Sequence, residues 1–163
     1  MGNDQALKLI SLLGSNTQII NIIKENNYDI KVCVKAIPFL KLRGKNEGQI
    51  LCILRKTGYE PSICIAALDF IKKEKNVMRV IKRSAYVPEV CQAAISGLNL
   101  GSKSEGEIMS ILRQVKFDLS ICESSLNYLI KERNILKVLK RHNYNKRLVD
   151  LAVKRLQILK CRP

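Results

Sequence analysis

Lys24, Arg55, Lys82, Arg113 and Lys140 each stand four residues before an aromatic, at Tyr28, Tyr59, Tyr86, Phe117 and Tyr144. The next position adds Lys56, Arg83 and Arg141, against Glu25 and Gln114 in the other two copies. Three residues before the first set, on the same expected helix face, come Arg79 and Lys137. Like charges at a repeating interval suit a repeating anion such as a phosphodiester backbone, where neutralising phosphates releases condensed counterions. A second account is local. The ladder falls in the last turn of an expected helix, where a cation offsets the helix dipole and needs no partner. Both accounts are open at this level.

Other chemistry is poorly supplied. Four of the six cysteines, Cys33, Cys64, Cys91 and Cys122, lie five residues after the aromatic, and Val149 takes that place in the fifth copy. Zinc sites use closely spaced Cys and His pairs, whereas this chain has no CxxC and a lone histidine, His142. The position therefore calls for a small buried side chain, and Cys52 and Cys161 are the thiols expected at the surface. One histidine with no carboxylate at a fixed spacing defines no triad. No glycine-rich phosphate loop occurs. The expectation is a non-enzymatic protein with no metal, no cofactor and no small-molecule substrate. The eight aromatics occupy two repeat positions, the turn and, as Phe39, Phe70 and Tyr128, a place eleven residues later, and there is no Trp. Packing accounts for them, so no base-stacking platform is expected.

The elements that must carry the ladder follow from the same repeat. The aromatics are separated by 31, 27, 31 and 27 residues, so two units make a 58-residue period. The connectors agree: Lys45-Asn46-Glu47-Gly48 recurs as Lys103-Ser104-Glu105-Gly106, and Lys73-Glu74-Lys75-Asn76 as Lys131-Glu132-Arg133-Asn134. Before the aromatic, Ile50, Leu51, Ile53 and Leu54 keep one helical face apolar, as Ile108, Met109, Ile111 and Leu112 do later. After it come a small residue (Ala36, Ala67, Ala94, Ser125, Ala152) and then Leu40, Ile71, Leu98, Leu129 and Leu156. Each unit reads as a short helix A, a turn at the aromatic, and a longer helix B. Asp29, Glu60, Asp118 and Asn145 are placed to cap helix B, and Pro61 and Pro88 to open it. Val87 breaks the capping pattern in the third unit. The expected division is one domain over 1–163, with a half-repeat at 4–16 and repeats at 17–45, 46–75, 76–103, 104–133 and 134–160. The last helix is expected to turn Lys154, Arg155 and Lys160 outward.

The two-helix unit with a small residue inside helix B resembles HEAT and armadillo repeats over nearly the whole chain. That resemblance implies an all-α solenoid that binds through an extended surface. Such repeats pack only on their neighbours, so stacking is what buries each apolar face. Some HEAT-like proteins are DNA glycosylases, but no acidic residue with aromatics is singled out here for such a site.

Composition narrows the partner. The net charge is +15 over 163 residues, from 29 Lys and Arg against 14 Asp and Glu. The excess is uneven: 11 against 7 over residues 1–74, but 18 against 7 over 75–163. Such an excess favours a polyanion, although lysine-rich solvation is the plainer alternative. No stretch is long and apolar enough for a membrane span. Met1-Gly2 begins like a myristoylation signal, but Ala6 stands where Ser or Thr is needed. No secretory leader is evident, so a cytoplasmic location with reduced thiols is expected. The expected partner is nucleic acid, RNA rather than DNA, or a ribonucleoprotein such as the ribosome. The alternative is a protein–protein adaptor taking an acidic peptide or helix, with Val34, Ile65 and Ile130 contributing to an apolar groove.

Overall fold

The computed structural model describes residues 1–42 and 47–162, with backbone alone for Lys41 and Leu42. Lys45 and Asn46 of the first connector lie outside the described residues. The chain is all-helical: α1 (Asn3–Ile10), α2 (Asn16–Glu25), α3 (Ile30–Leu42), α4 (Glu47–Lys56), α5 (Pro61–Leu68), α6 (Glu74–Arg83), α7 (Pro88–Ala94), α8 (Glu105–Gln114), α9 (Leu119–Leu126), α10 (Glu132–Arg141) and α11 (Lys146–Lys160). No strand occurs among the described residues. The even-numbered helices are the expected helix A set, the odd-numbered ones the helix B set.

One turn geometry joins every even helix to the odd helix after it. The aromatic and the residue before it both take positive φ: Asn27 and Tyr28, Gly58 and Tyr59, Ala85 and Tyr86, Lys116 and Phe117, Asn143 and Tyr144. The aromatic N–H then reaches back to a carbonyl at the end of the preceding helix, Tyr28 to Ile23 at 3.0 Å and Phe117 to Leu112 at 2.7 Å. This is the helix-ending bond pattern that satisfies otherwise orphaned carbonyls. Helix B then starts on the expected caps. Asp29 accepts from the Val32 N–H, Glu60 from Ile63, Asp118 from Ile121 and Asn145 from Arg147. Pro61 and Pro88 occupy the first turn of α5 and α7, where a missing N–H costs least.

Packing follows from the small residues. The odd helices lie in sequence on one another, α1 on α3, α3 on α5, α5 on α7, α7 on α9 and α9 on α11. Each even helix packs on the odd helix that follows it, and α2 and α4 also on the one before. Cys33, Cys64, Cys91, Cys122, Ala36, Ala67, Ala94 and Ser125 are all buried where the odd helices meet. Side chains of this size allow close approach of the backbones.

Several expectations need correction. Helix B is not longer in the middle of the chain: α5, α7 and α9 have 8, 7 and 8 residues, against 10 in each of α4, α6, α8 and α10. Ile71 and Leu129 are buried as their spacing required, but they lie beyond the helix. The apolar pattern runs on through the turn because the turn is also covered. Ile130 likewise lies outside helix B and is exposed. In the third unit the chain tightens into 3-10 turns at Ile95–Leu98 and Leu100–Ser102. Gly97 sits there against α6, and a Cβ on it would stand 2.9 Å from a Val77 methyl. Arg155 does not point outward. It takes the place held by Phe39, Phe70 and Tyr128, is half-buried, and its Nε donates to the Leu129 carbonyl at 2.8 Å.

Neighbouring units are also joined by carboxylates at helix starts. The N-cap residues of α6 and α10 are Lys73 and Lys131, which make no side-chain cap. Glu47 at the start of α4 accepts instead from the Lys72 and Lys73 N–H groups and, at 2.6 Å, from the Asn76 amide. Fifty-eight residues on, Glu105 at the start of α8 accepts from the Ile130 and Lys131 N–H groups and the Asn134 amide, at 3.1, 2.8 and 3.0 Å. A negative charge at a helix start satisfies orphan N–H groups and complements the dipole. Partial burial pushes the Glu105 carboxyl up, but bonds from Asn134, Lys131 and Ile130, with the Lys131 charge, outweigh it and hold it below its usual range.

Candidate functional site

All ten ladder cations are on the even-numbered helices and all are exposed. Lys24 is on α2, Arg55 and Lys56 on α4, Arg79, Lys82 and Arg83 on α6, Arg113 on α8, and Lys137, Lys140 and Arg141 on α10. The αL turn directly after each helix places the ladder at its solvent edge. Acidic residues gather at the opposite ends: Glu47, Glu74, Glu105 and Glu132 each open one of these helices. Each even helix from α4 to α10 is therefore a small dipole of side chains, acidic where it starts and basic where it stops.

Carboxylates leave the ladder alone. The ion pairs among the described residues are Lys103 with Glu74 at 2.5 Å and Arg147 with Glu123 at 3.1 Å, and neither uses a ladder cation. The Lys82 ammonium donates to Gln114 Oε1 on the next even helix at 3.3 Å. Lys137, Lys140 and Arg141 together line an open depression of about 430 Å³. Lys24, on α2, is not tied to any other ladder residue.

The odd helices present a different chemistry. No Lys or Arg occurs in α5, α7 or α9. Their charged residues are Glu89 and Glu123. Ile65 and Leu119 are exposed there, and Val34 on α3 is half-buried.

Two cations bridge turns in a way the repeat spacing did not disclose. The Lys116 ammonium lies over the Tyr86 ring, 4.5 Å from its centre, and the Arg141 guanidinium over the Phe117 ring at 5.0 Å. His142 Nε2 sits 2.8 Å from the Phe117 carbonyl. In each case the later unit covers the turn of the earlier one. Lys116 had a usable signal, standing directly before an aromatic where the other copies have Asn, Gly or Ala. The expectation that packing uses up the aromatics fails for two of them: Tyr144 is 56% exposed and Tyr128 43%. Tyr144 has no later helix pair over it among the described residues.

The thiols divide as their positions imply. Cys33, Cys64, Cys91 and Cys122 are buried, and Cys52 and Cys161 are exposed. Burial, reinforced by nearby carboxylates, pushes Cys33 up to about 11 and Cys64, Cys91 and Cys122 up to about 12. Such thiols are poor nucleophiles and poor metal ligands at neutral pH. No group of three or more His, Cys, Asp or Glu side chains suited to a metal ion occurs among the described residues. No helix is long and apolar enough to cross a membrane among them.

No protein-family model matches the chain, and no match was found among curated proteins or solved structures.

Proposed function

We propose that the chain is a basic α-solenoid of about five HEAT- or armadillo-like two-helix repeats. It acts as a non-enzymatic scaffold that binds nucleic acid, structured RNA or a ribonucleoprotein such as the ribosome, through the cations of its helix A layer. The odd helices touch one another more closely than the even ones do. The ladder therefore lies on the layer whose helices are less closely packed on one another. The observation that carries the reading is the ladder's lack of a carboxylate partner among the described residues while it repeats through every unit. Dipole compensation alone would account for one cation per helix end. The pairs at Arg55 and Lys56, Lys82 and Arg83, and Lys140 and Arg141 exceed that. Contacts of this type go to phosphates and to shape rather than to base edges.

A groove on the odd helices taking an acidic peptide is less well supported. Such a peptide needs cations beside the groove, and α5, α7 and α9 supply none.

The test is a titration of a blunt RNA duplex at several salt concentrations. Changing Lys24, Arg55, Lys82 and Arg113 together to Gln leaves α10 intact. We expect tight binding at low salt and a log–log salt slope that falls by roughly 0.7–0.9 for each phosphate the variant no longer neutralises. Weak binding, or a slope that the variant leaves unchanged, overturns the proposal.

A further inference from the structure

We infer that a pocket between the third and fourth units is a binding site for a neutral sugar ring, separate from the ladder. The 3-10 turns after α7 and the residues at the end of α9 line a space of about 280 Å³. Ser96, Asn99, Ser124, Asn127 and Tyr128 bring hydroxyls and amides to that lining, and Ile95 and Leu100 bring apolar surface. Gly101 completes it without a side chain, and a Cβ there would stand 3.2 Å from the Tyr128 ring.

The 58-residue period shows what is particular to this place. Its counterparts in the first double unit are Pro38, Lys41, Arg43, Ala66, Asp69 and Phe70. In the second they are Ser96, Asn99, Gly101, Ser124, Asn127 and Tyr128. Only the apolar pair is kept, as Ile37 and Leu42 in the first and Ile95 and Leu100 in the second. Every exchange runs one way. Three charges are lost and none is gained, and three positions acquire a hydroxyl. In a chain of which 26% of the residues are charged, undirected change would bring charges in as well as take them out.

The lining selects its ligand by chemistry. A phosphate or an ionised peptide side chain would give up water there and meet no opposite charge. Hydroxyls and primary amides both donate and accept, as the hydroxyls of a sugar do. The side chains of Ser96, Asn99, Ser124, Asn127 and Tyr128 make no hydrogen bond among the described residues, so their donors and acceptors are available. Tyr128 is 43% exposed and, with Ile95 and Leu100, offers apolar surface to the C–H face of a ring. Pockets for drug-sized ligands start at about 300 Å³, so this one suits a single ring.

The test is a heteronuclear NMR titration of the full chain with glucose, galactose, mannose and N-acetylglucosamine, and with glucuronate and acetamide for contrast. We expect at least one neutral sugar to shift the Asn99 and Asn127 side-chain amides and the Gly101 N–H saturably, with a Kd on the order of 1 mM. Glucuronate should bind more weakly, and acetamide should not saturate. Ser124→Ala, Asn127→Asp and Tyr128→Phe together restore the residue types that the chain carries at Ala66, Asp69 and Phe70, so the fold should hold. This variant should bind the sugar at least roughly tenfold more weakly, with an unchanged urea midpoint. Ser124→Ala alone should weaken it about threefold, which keeps the test if the triple variant fails to fold. No saturable shift from any of the four neutral sugars overturns the inference. So does a variant that binds as well as the unaltered chain. Acetamide saturating the same signals also overturns it and assigns the pocket to a peptide amide. None of the ladder cations lines the pocket, so the nucleic-acid reading stands or falls separately.

Discussion

The two helix layers repeat for different reasons. In the odd-numbered layer, Cys64, Ala67, Cys91, Ala94, Cys122 and Ser125 recur because helices pressed against one another leave no space for more. In the even-numbered layer, the ladder recurs at positions that pair with no carboxylate among the described residues. The first repetition has its cause inside the molecule. The second has weak internal causes, the helix dipole, worth about 0.3–1 kcal/mol per helix end, and the contacts of Lys82 with Gln114 and of Arg141 with the Phe117 ring, so most of its effect should be felt by something outside. The largest test of this contrast is a matched pair of substitutions. Ile63 on α5 is fully buried, and Ile63→Ala should cost about 2–5 kcal/mol in urea unfolding. Arg55→Gln on the adjoining α4 should stay within about 0.5 kcal/mol. If Arg55→Gln costs as much as the core substitution, the ladder is structural and the contrast collapses.

A second prediction concerns the starts of the even-numbered helices, at the opposite ends from the ladder. Glu105 supplies from α8 the cap that Lys131 cannot give α10. Glu105→Gln keeps the shape and removes the charge, and should cost about 1–2 kcal/mol. Its carboxyl is held low in the folded chain. The stabilisation it adds is therefore full above the ordinary glutamate value of about 4.3 and is lost as pH falls through the lower folded value. Unfolding midpoints measured from neutral to acid pH should fall for the unaltered chain and fall less for Glu105→Gln. Parallel curves would show that the clamp contributes nothing through its charge.

How much of this was legible in the sequence depends on the range of each cause. The caps at Asp29, Glu60, Asp118 and Asn145 act over two or three residues, and their spacing showed them. Ladder exposure was legible too, since it follows from the polar side of each amphipathic helix. The clamps at Glu47 and Glu105 were not, because their acceptor and donors are about 25–29 residues apart and match no local motif. The short α5, α7 and α9 were hidden because buried turn residues such as Ile71 and Leu129 carry the apolar spacing past the helix end. Tyr144 defeats repeat reasoning in principle. The same residue type at the same position as Tyr86 has a different environment, because a later unit covers Tyr86 and none covers Tyr144 among the described residues.

The smallest effect separates backbone from side chain in the turns that join the layers. All five turns place two consecutive residues at positive φ, and only one of the ten is glycine, Gly58. Residues with a Cβ meet the following carbonyl in this conformation, at a cost of about 1–2 kcal/mol, with Asn less affected. Ala85 has φ 56°, is exposed, and donates from its backbone to the Lys82 carbonyl at 3.2 Å. Its methyl therefore brings strain with no packing in return. Ala85→Gly should relieve that strain but widen the unfolded ensemble, where glycine is worth roughly 0.5–1 kcal/mol in the other direction. The net expectation is a gain of up to about 1 kcal/mol, seen as a higher urea midpoint with an unchanged slope. Gly58→Ala at the equivalent turn should show the opposite sign and similar size, although nothing lies within 4 Å of the added Cβ. If the two changes have the same sign, the turns are not equivalent in the folded chain, and their shared dihedrals do not set their stability.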